Sequence, residues 1–299
     1  MLKFLKNWTL PISMLVGAAF YPLLISLSFL TPFLIFTMLL LTFCKVSPKD
    51  LKITPLHFWL LLIQLFGSVA IYMLIAPFSK TVAEGTLICI ICPTATAAAV
   101  ITGKLGGSTA SLTTYTLLGN IGTAIAAPIL FPLIEVHPEL SFWGAFFLIL
   151  SKVFPLLICP FIAAWLLRIY LPKIHRRLLN YHELAFYLWA VSLAIVTAQT
   201  LNSLIHDPAD VYIEILIAIA ALAACCLQFF LGKTIGSAYN DRISGGQALG
   251  QKNTIFAIWM AHTYMNPISS VGPGAYVLWQ NIINSWQLWK KRKKEEHKQ

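Results

Sequence analysis

Runs of apolar residues long enough to cross a bilayer recur along almost the whole chain. That recurrence limits the possible folds more than any other feature. In lipid, backbone polar groups must be bonded within their own segment, so a crossing is a helix of about 20 apolar residues. Candidate runs fall at roughly 8–29, 31–46, 57–78, 82–105, 109–134, 141–170, 183–205, 211–239, 246–264 and 268–289. The second is short and can begin within the preceding turn; the ninth is weak. Only 11% of the residues are charged and 58% are hydrophobic, whereas soluble domains carry about 25% charge. The chain therefore reads as an all-α polytopic membrane protein with ten transmembrane helices. Met1 to Asn7 resembles a short basic leader, but no clear small-residue cleavage site follows, so the first crossing is expected to stay uncleaved.

The net charge of +10 would suit nucleic acid if it were spread over a soluble surface. Instead the basic residues sort by loop. Lys3, Lys6, Lys45, Lys49, Lys52, Lys104, Arg168, Lys173, Arg176, Arg177, Lys233, Arg242 and the C-terminal cations share one face. The other face holds Lys80 with Glu135, Glu139, Asp207 and Asp210. The positive-inside rule then places both termini in the cytoplasm, across a cell (inner) membrane. Lys290 to Lys294 would anchor the last helix and contact anionic membrane lipids. That cluster is short and follows a membrane span, so no nucleic acid partner is expected. Trp279, Trp286 and Trp289 fit an interfacial belt or helix packing. Lys152 and Lys252 are left at membrane depth, where a lysine costs roughly 2.5–3.5 kcal/mol. Lys152 can snorkel to the interface or line a pathway.

Within the fourth run, Ile91-Cys92-Pro93-Thr94-Ala95-Thr96-Ala97-Ala98-Ala99 places a proline, two threonines and small residues at mid-depth. Proline removes a backbone donor and frees a carbonyl one turn back. A kinked packing helix is one outcome; a helix broken at a binding site is the other. The ninth run offers a counterpart, because Ser244 to Asn253 gathers Gly245, Gly246 and Gly250 with Gln247, Gln251, Lys252 and Asn253. A cytoplasmic loop before a short final helix would also read this way. The matching ordinal position favours two inverted five-helix repeats, residues 1–135 and 136–289, followed by a basic cytoplasmic tail at 290–299.

No metal or cofactor is expected. Cys44, Cys89, Cys92, Cys159, Cys225 and Cys226 lie in or beside apolar runs, and Cys89 with Cys92 is a lone CxxC without nearby histidines. Acidic residues sit near membrane edges, and His57, His137, His175, His182, His206, His262 and His297 are mostly interfacial. No nucleophile–base pair appears at helical spacing, which argues against a membrane enzyme.

The residues now resemble a known pattern. Cys92-Pro93 followed by Thr96-Ala97 is similar to the Cys-Pro-Gly-Gly-Thr-Ala stretch on helix 4 of the bile acid:sodium symporter family. Gly250-Gln251-Lys252-Asn253 resembles that family's Gly-Met-Gln-Asn on helix 9. Pro273-Gly274-Ala275 with Trp279-Gln280-Asn281-Ile282 resembles Pro-Gly-Ala…Trp-His-Asn-Ile on helix 10, and Gln64 stands where the family has a glutamine. The resemblance implies a panel (helices 1, 2, 6, 7), a core (3–5, 8–10) and crossing helices 4 and 9. It also implies uptake of an amphipathic or carboxylate-bearing organic anion.

The departures fall on the family's sodium ligands. Its Ser-Asn pair reads Ala98-Ala99 here, and one helix-5 hydroxyl reads Leu112 while the other, Thr116, survives. The glutamate position reads Ala248, or Gln247 if the register slips by one, and the motif glutamine reads Lys252. Hard cations want oxygen ligands, so sodium binding is expected to be lost, with Lys252 as a tethered cation in its place. Thr94, Thr96, Gln64, Thr116, Gln251 and Asn253 would hydrogen-bond the substrate, beside half-helix N-termini opening at Thr94 and near Asn253. The same side chains could instead be interhelical glue. A desolvated amine can also exchange a proton, so proton coupling, facilitated diffusion and residual sodium at backbone sites all stay open. A non-transporting sensor or scaffold on the same fold is the alternative reading.

Overall fold

A computed structural model describes residues 2–47, 51–135, 140–181, 184–206 and 210–296, and the side chains from residue 8 onward. Met1, Lys49, His137, Glu139, His182, Asp207, His297 and Lys298 lie outside the described residues, as do the side chains of Lys3 and Lys6. The described chain is helical, with one isolated β-bridge between Thr94 and Lys252. Six helices are long and apolar enough to cross a membrane: Tyr21–Cys44, Pro55–Ile75, Thr109–Ile134, Phe142–Tyr170, Leu184–His206 and Val211–Ala238. It is an all-α, multi-pass membrane protein.

Contacts divide the chain into two compact units. The first comprises Met1–Ser47, Ala124–Glu214 and Ile255–Ser270. It contains α1 (Leu2–Ala19), α2 (Tyr21–Leu24), α3 (Thr31–Cys44), the end of α7 (Thr109–Ile134), α8 (Phe142–Tyr170), α9 (Pro172–Asn180), α10 (Leu184–His206) and most of α13 (Thr254–Tyr264). Here α10 packs on α1, α2 and α3, and α3 packs on α8. The first expected run, 8–29, does not stay whole. It ends at Ala19, turns at Phe20 ahead of Pro22, and passes through a 3-10 stretch at Ile25–Leu30 straight into α3. The basic stretch after α8 is not a loop but α9, whose His175 is buried and shares a hydrogen bond with the Cys44 carbonyl.

The second unit comprises Pro48–Thr123, Ile215–Thr254 and Val271–Gln299. It holds α4 (Pro55–Ile75), α5 (Lys80–Ile91), α6 (Ala98–Leu105), the first part of α7, most of α11 (Val211–Ala238), α12 (Arg242–Gly250) and α14 (Val271–Glu296). Pro55 opens α4 behind a reciprocal cap between Thr54 and His57. α5 stops where Pro93 forces Cys92 into an extended conformation (φ −58°, ψ 143°). α6 ends on Gly106 at φ 89°, with Gly107 N–H reaching back to Thr102 O at 2.9 Å. α14 runs on through the basic residues to Glu296, so the tail predicted from 290 is helical that far. Lys290 and Lys293 stand over Trp286 and Trp289 at 5.0 and 5.3 Å.

Residues 244–250 are not the unwound segment that their glycines suggest; they are α12. The glycines serve close approach instead. A Cβ on Gly245 would run into the Gly232 carbonyl, and one on Gly232 into the Gly245 carbonyl. Gly250 lies under the Phe229 ring in the same way. Adding even a methyl to a contact of backbone against backbone forces the helices apart, at about 1–3 kcal/mol. Gly232→Ala is therefore expected to lower the thermal unfolding midpoint in detergent by several degrees; an unchanged midpoint would contradict this α11–α12 contact.

Candidate functional site

Breaking α5 at Cys92 leaves its last carbonyls without helical partners, since Pro93 has no N–H and the chain beyond turns away. In a membrane such groups cost several kcal/mol each unless something else bonds them. Each finds a side chain from another helix or, for Lys252, from the segment between α12 and α13. Gln228 Nε2 on α11 reaches Cys89 O at 3.4 Å and Lys252 Nζ donates to Ile90 O at 2.7 Å. Gln64 Nε2 on α4 and Thr123 Oγ1 on α7 donate to Ile91 O at 2.9 and 2.8 Å. Lys252 thus sits at the negative end of the α5 dipole, where a cation is favoured. Its side chain is fully buried, and no carboxylate among the described residues forms an ion pair with it.

The second break, at residues 251–253, is joined to the first. Ala95 N–H donates to Gln251 O and Asn253 N–H to Pro93 O, both at 2.9 Å, which makes the two linkers a short antiparallel pair. Exchange of caps runs in both directions: Thr94 Oγ1 donates to Ala248 O at 2.8 Å, on the last turn of α12, as Lys252 does to the last turn of α5. Tyr276 OH donates to Gly250 O at 2.9 Å, and Gln280 Oε1 accepts from Lys252 N–H at 2.8 Å. The Gln280 contact takes the donor that Ala248 O would otherwise receive within a continuous helix. α12 therefore ends at Gly250 without any proline.

The sequence-predicted residues divide by role in this arrangement. Thr94, Gln251, Lys252 and Asn253 meet in the paired linkers. Gln64 is fully buried, its Oε1 taken by Tyr115 OH at 2.6 Å and its Nε2 by Ile91 O. Thr116 is bonded to Leu112 O on its own helix at 2.9 Å. Thr96 is half-buried in the first linker, which extends to Ala97, so the second half-helix opens at Ala98 rather than at Thr94. Gln251 keeps a buried Oε1 with no partner. Lys152 is exposed on α8.

The positions expected to have lost a cation form one apolar cluster. Ala98, Leu112 and Ala248 pack with Leu56, Leu60, Tyr115 and Leu249, and Ala99 lies against them. Gln247 is buried beside it and bonds Asn284 Oδ1 at 2.9 Å. Sequence reasoning passed over Tyr115, Thr123, Gln228, Tyr276 and Asn284 as site residues. The signal for them was a polar group in the middle of an apolar run.

No family model matches the chain, and no curated protein does.

Ile91 O has two side-chain donors, so losing one leaves the other. Gln64→Leu and Thr123→Val alone are each expected to cost about 1 kcal/mol. The double variant orphans a buried carbonyl and is expected to lose more than the sum of the two, read as thermal unfolding in detergent. Strict additivity would contradict the shared cap.

Proposed function

We propose that the chain transports an amphipathic organic anion, bile-acid-like or a smaller carboxylate, by alternating access. It does so on ten crossings arranged as two inverted five-helix repeats, with α5–α6 and α12–α13 as the broken crossing helices. Lys252 is a fixed cation standing where relatives of this architecture would hold sodium, so uptake is independent of sodium. The observation that carries this reading is the Lys252 Nζ hydrogen bond to Ile90 O inside a pair of interrupted helices. A buried ammonium without a carboxylate partner is costly, and a purely structural cap could be supplied by an amide, as Gln64 supplies at the next carbonyl, Ile91 O.

The apolar cluster of Leu112, Ala98 and Ala248 supports the second half of the reading, because it offers a sodium ion no oxygen ligand beyond its backbone. Half-buried Thr96 and the N–H groups opening α6 supply hydrogen bonds for the anionic group. The net positive charge at the linkers draws that group in. With Gln64, Thr94 and Thr123 committed to capping, Thr96 and Gln251 are the hydrogen-bonding contacts beside the Lys252 amine.

Purified protein in liposomes, assayed with labelled taurocholate and with small carboxylates such as pantothenate, tests this directly. Uptake of at least one probe is expected at the same rate in sodium and in choline buffers. Lys252→Gln, which can still cap Ile90 O, is expected to fold and to lose uptake at least about tenfold. A strict sodium requirement in the protein with Lys252 intact would contradict the substitution. Full uptake by Lys252→Gln would remove the lysine from the site.

A further inference from the structure

α14 carries a polar stripe that packing alone does not explain. Tyr276, Gln280, Asn284, Gln287 and Lys291 follow one another at intervals of four, four, three and four residues, which keeps them on one face of the helix. The stripe begins at the broken helices. Tyr276 OH binds Gly250 O, and Gln280 binds both the N–H and the C=O of Lys252, at 2.8 and 3.3 Å. It ends at Lys291, whose Nζ donates to Lys104 O at 2.8 Å beside Glu295 at 3.5 Å. From Gln280 to Lys291 is a helical rise of about 16 Å, half of a hydrocarbon core.

Along and beside this face, several buried polar atoms are left over. Gln247 and Asn284 are 0% and 4% exposed and share one hydrogen bond of 2.9 Å. Gln247 Oε1 and Asn284 Nδ2 have no partner. Turning both amides over changes nothing, since one donor and one acceptor remain. One turn on, Gln287 Nε2 is buried without a partner, and at the upper end Gln228 Oε1 is too, although its Nε2 binds Tyr276 OH at 3.0 Å. Each such atom is destabilising if dry. A water molecule with two to four polar neighbours removes that cost.

We propose that the α12–α14 seam holds a file of water linking the amine of Lys252 to the membrane face at which α14 ends, and that this file is its proton-exchange route. The inference rests on Lys252 being the functional cation proposed above. Its ammonium releases a proton to the nearest water, each water passes one on along Asn284 and Gln287, and the neutral amine keeps its bond to Ile90 O. The titratable groups facing Lys252 are Cys89 on α5, Cys92 just beyond its end and Cys225 on α11. None of them is a carboxylate that would hold the proton back. The mouth carries Lys291, Glu295 and Lys104.

Millisecond radiolytic hydroxyl-radical footprinting of the full chain in nanodiscs tests the file without any need for transport. Tyr276 is fully buried, yet it is expected to be modified within about tenfold of the rate of exposed Tyr239. A slower rate overturns the water file. Asn284→Leu with Gln287→Leu is expected to cut Tyr276 modification at least about tenfold; Asn284→Ser, which keeps a polar group, should retain it and controls for folding. In liposomes with a transported probe, the same double leucine variant should lose the response of uptake to internal pH, and an unaltered response overturns the proton route. Modified Tyr276 without flux of any probe would leave the water file standing and defeat the transport reading alone. Flux with an unmodified Tyr276 would do the reverse.

Discussion

A buried helix that stops short exposes carbonyl groups with nothing to bond, and the rest of the second unit is arranged around satisfying them. Cys89, Ile90 and Ile91 receive donors from α4, α7, α11 and the second linker. Those donors are long amides and a threonine placed in largely apolar helices, and one lysine in the polar second linker. Their presence there is intelligible only because the alternative is several kcal/mol for each orphaned carbonyl. The pairing of Ala95 with Gln251 and of Asn253 with Pro93 then fixes both linkers through the main chain, independent of side-chain identity.

A hydrogen-bond cap does not require charge, and this is where structure turns into function. Gln64 and Gln228 show that neutral amides cap this helix end. Lys252 adds a positive charge at the same end, in a location with no counter-ion among the described residues. The neighbouring cluster of alanines and leucines with Tyr115 is buried and closely packed. On the proposed reading, the Lys252 ammonium and this apolar filler take the place of a metal ion and its oxygen ligands.

Much of this was legible in the sequence, and the exceptions have physical causes. Pro93 places the first interruption to the residue, as a kink or a break, because proline's missing donor acts locally. The second break was located only to within Ser244–Asn253, since glycine is ambiguous: Gly245 and Gly250 are helical and serve contact with Gly232 and Phe229. What ends α12 is Gln280, 28 residues further on, and no local pattern reports that. The lengths of α7, α8, α10 and α11 were readable from hydropathy, whereas α1 was misjudged because the turn at Phe20 lies inside an apolar run. Thr94, Lys252 and Gln64 were recognisable as important, but their partners are carbonyls, which carry no sequence signature.

Whether a tethered amine really replaces a bound ion can be read most directly by anomalous diffraction from crystals grown with thallium(I), a sodium and potassium surrogate. The account predicts Lys252 Nζ density on the Ile90 carbonyl and no thallium peak among Ala98, Leu112 and Ala248. A well-occupied thallium site there, or Lys252 turned away from Ile90, would contradict it.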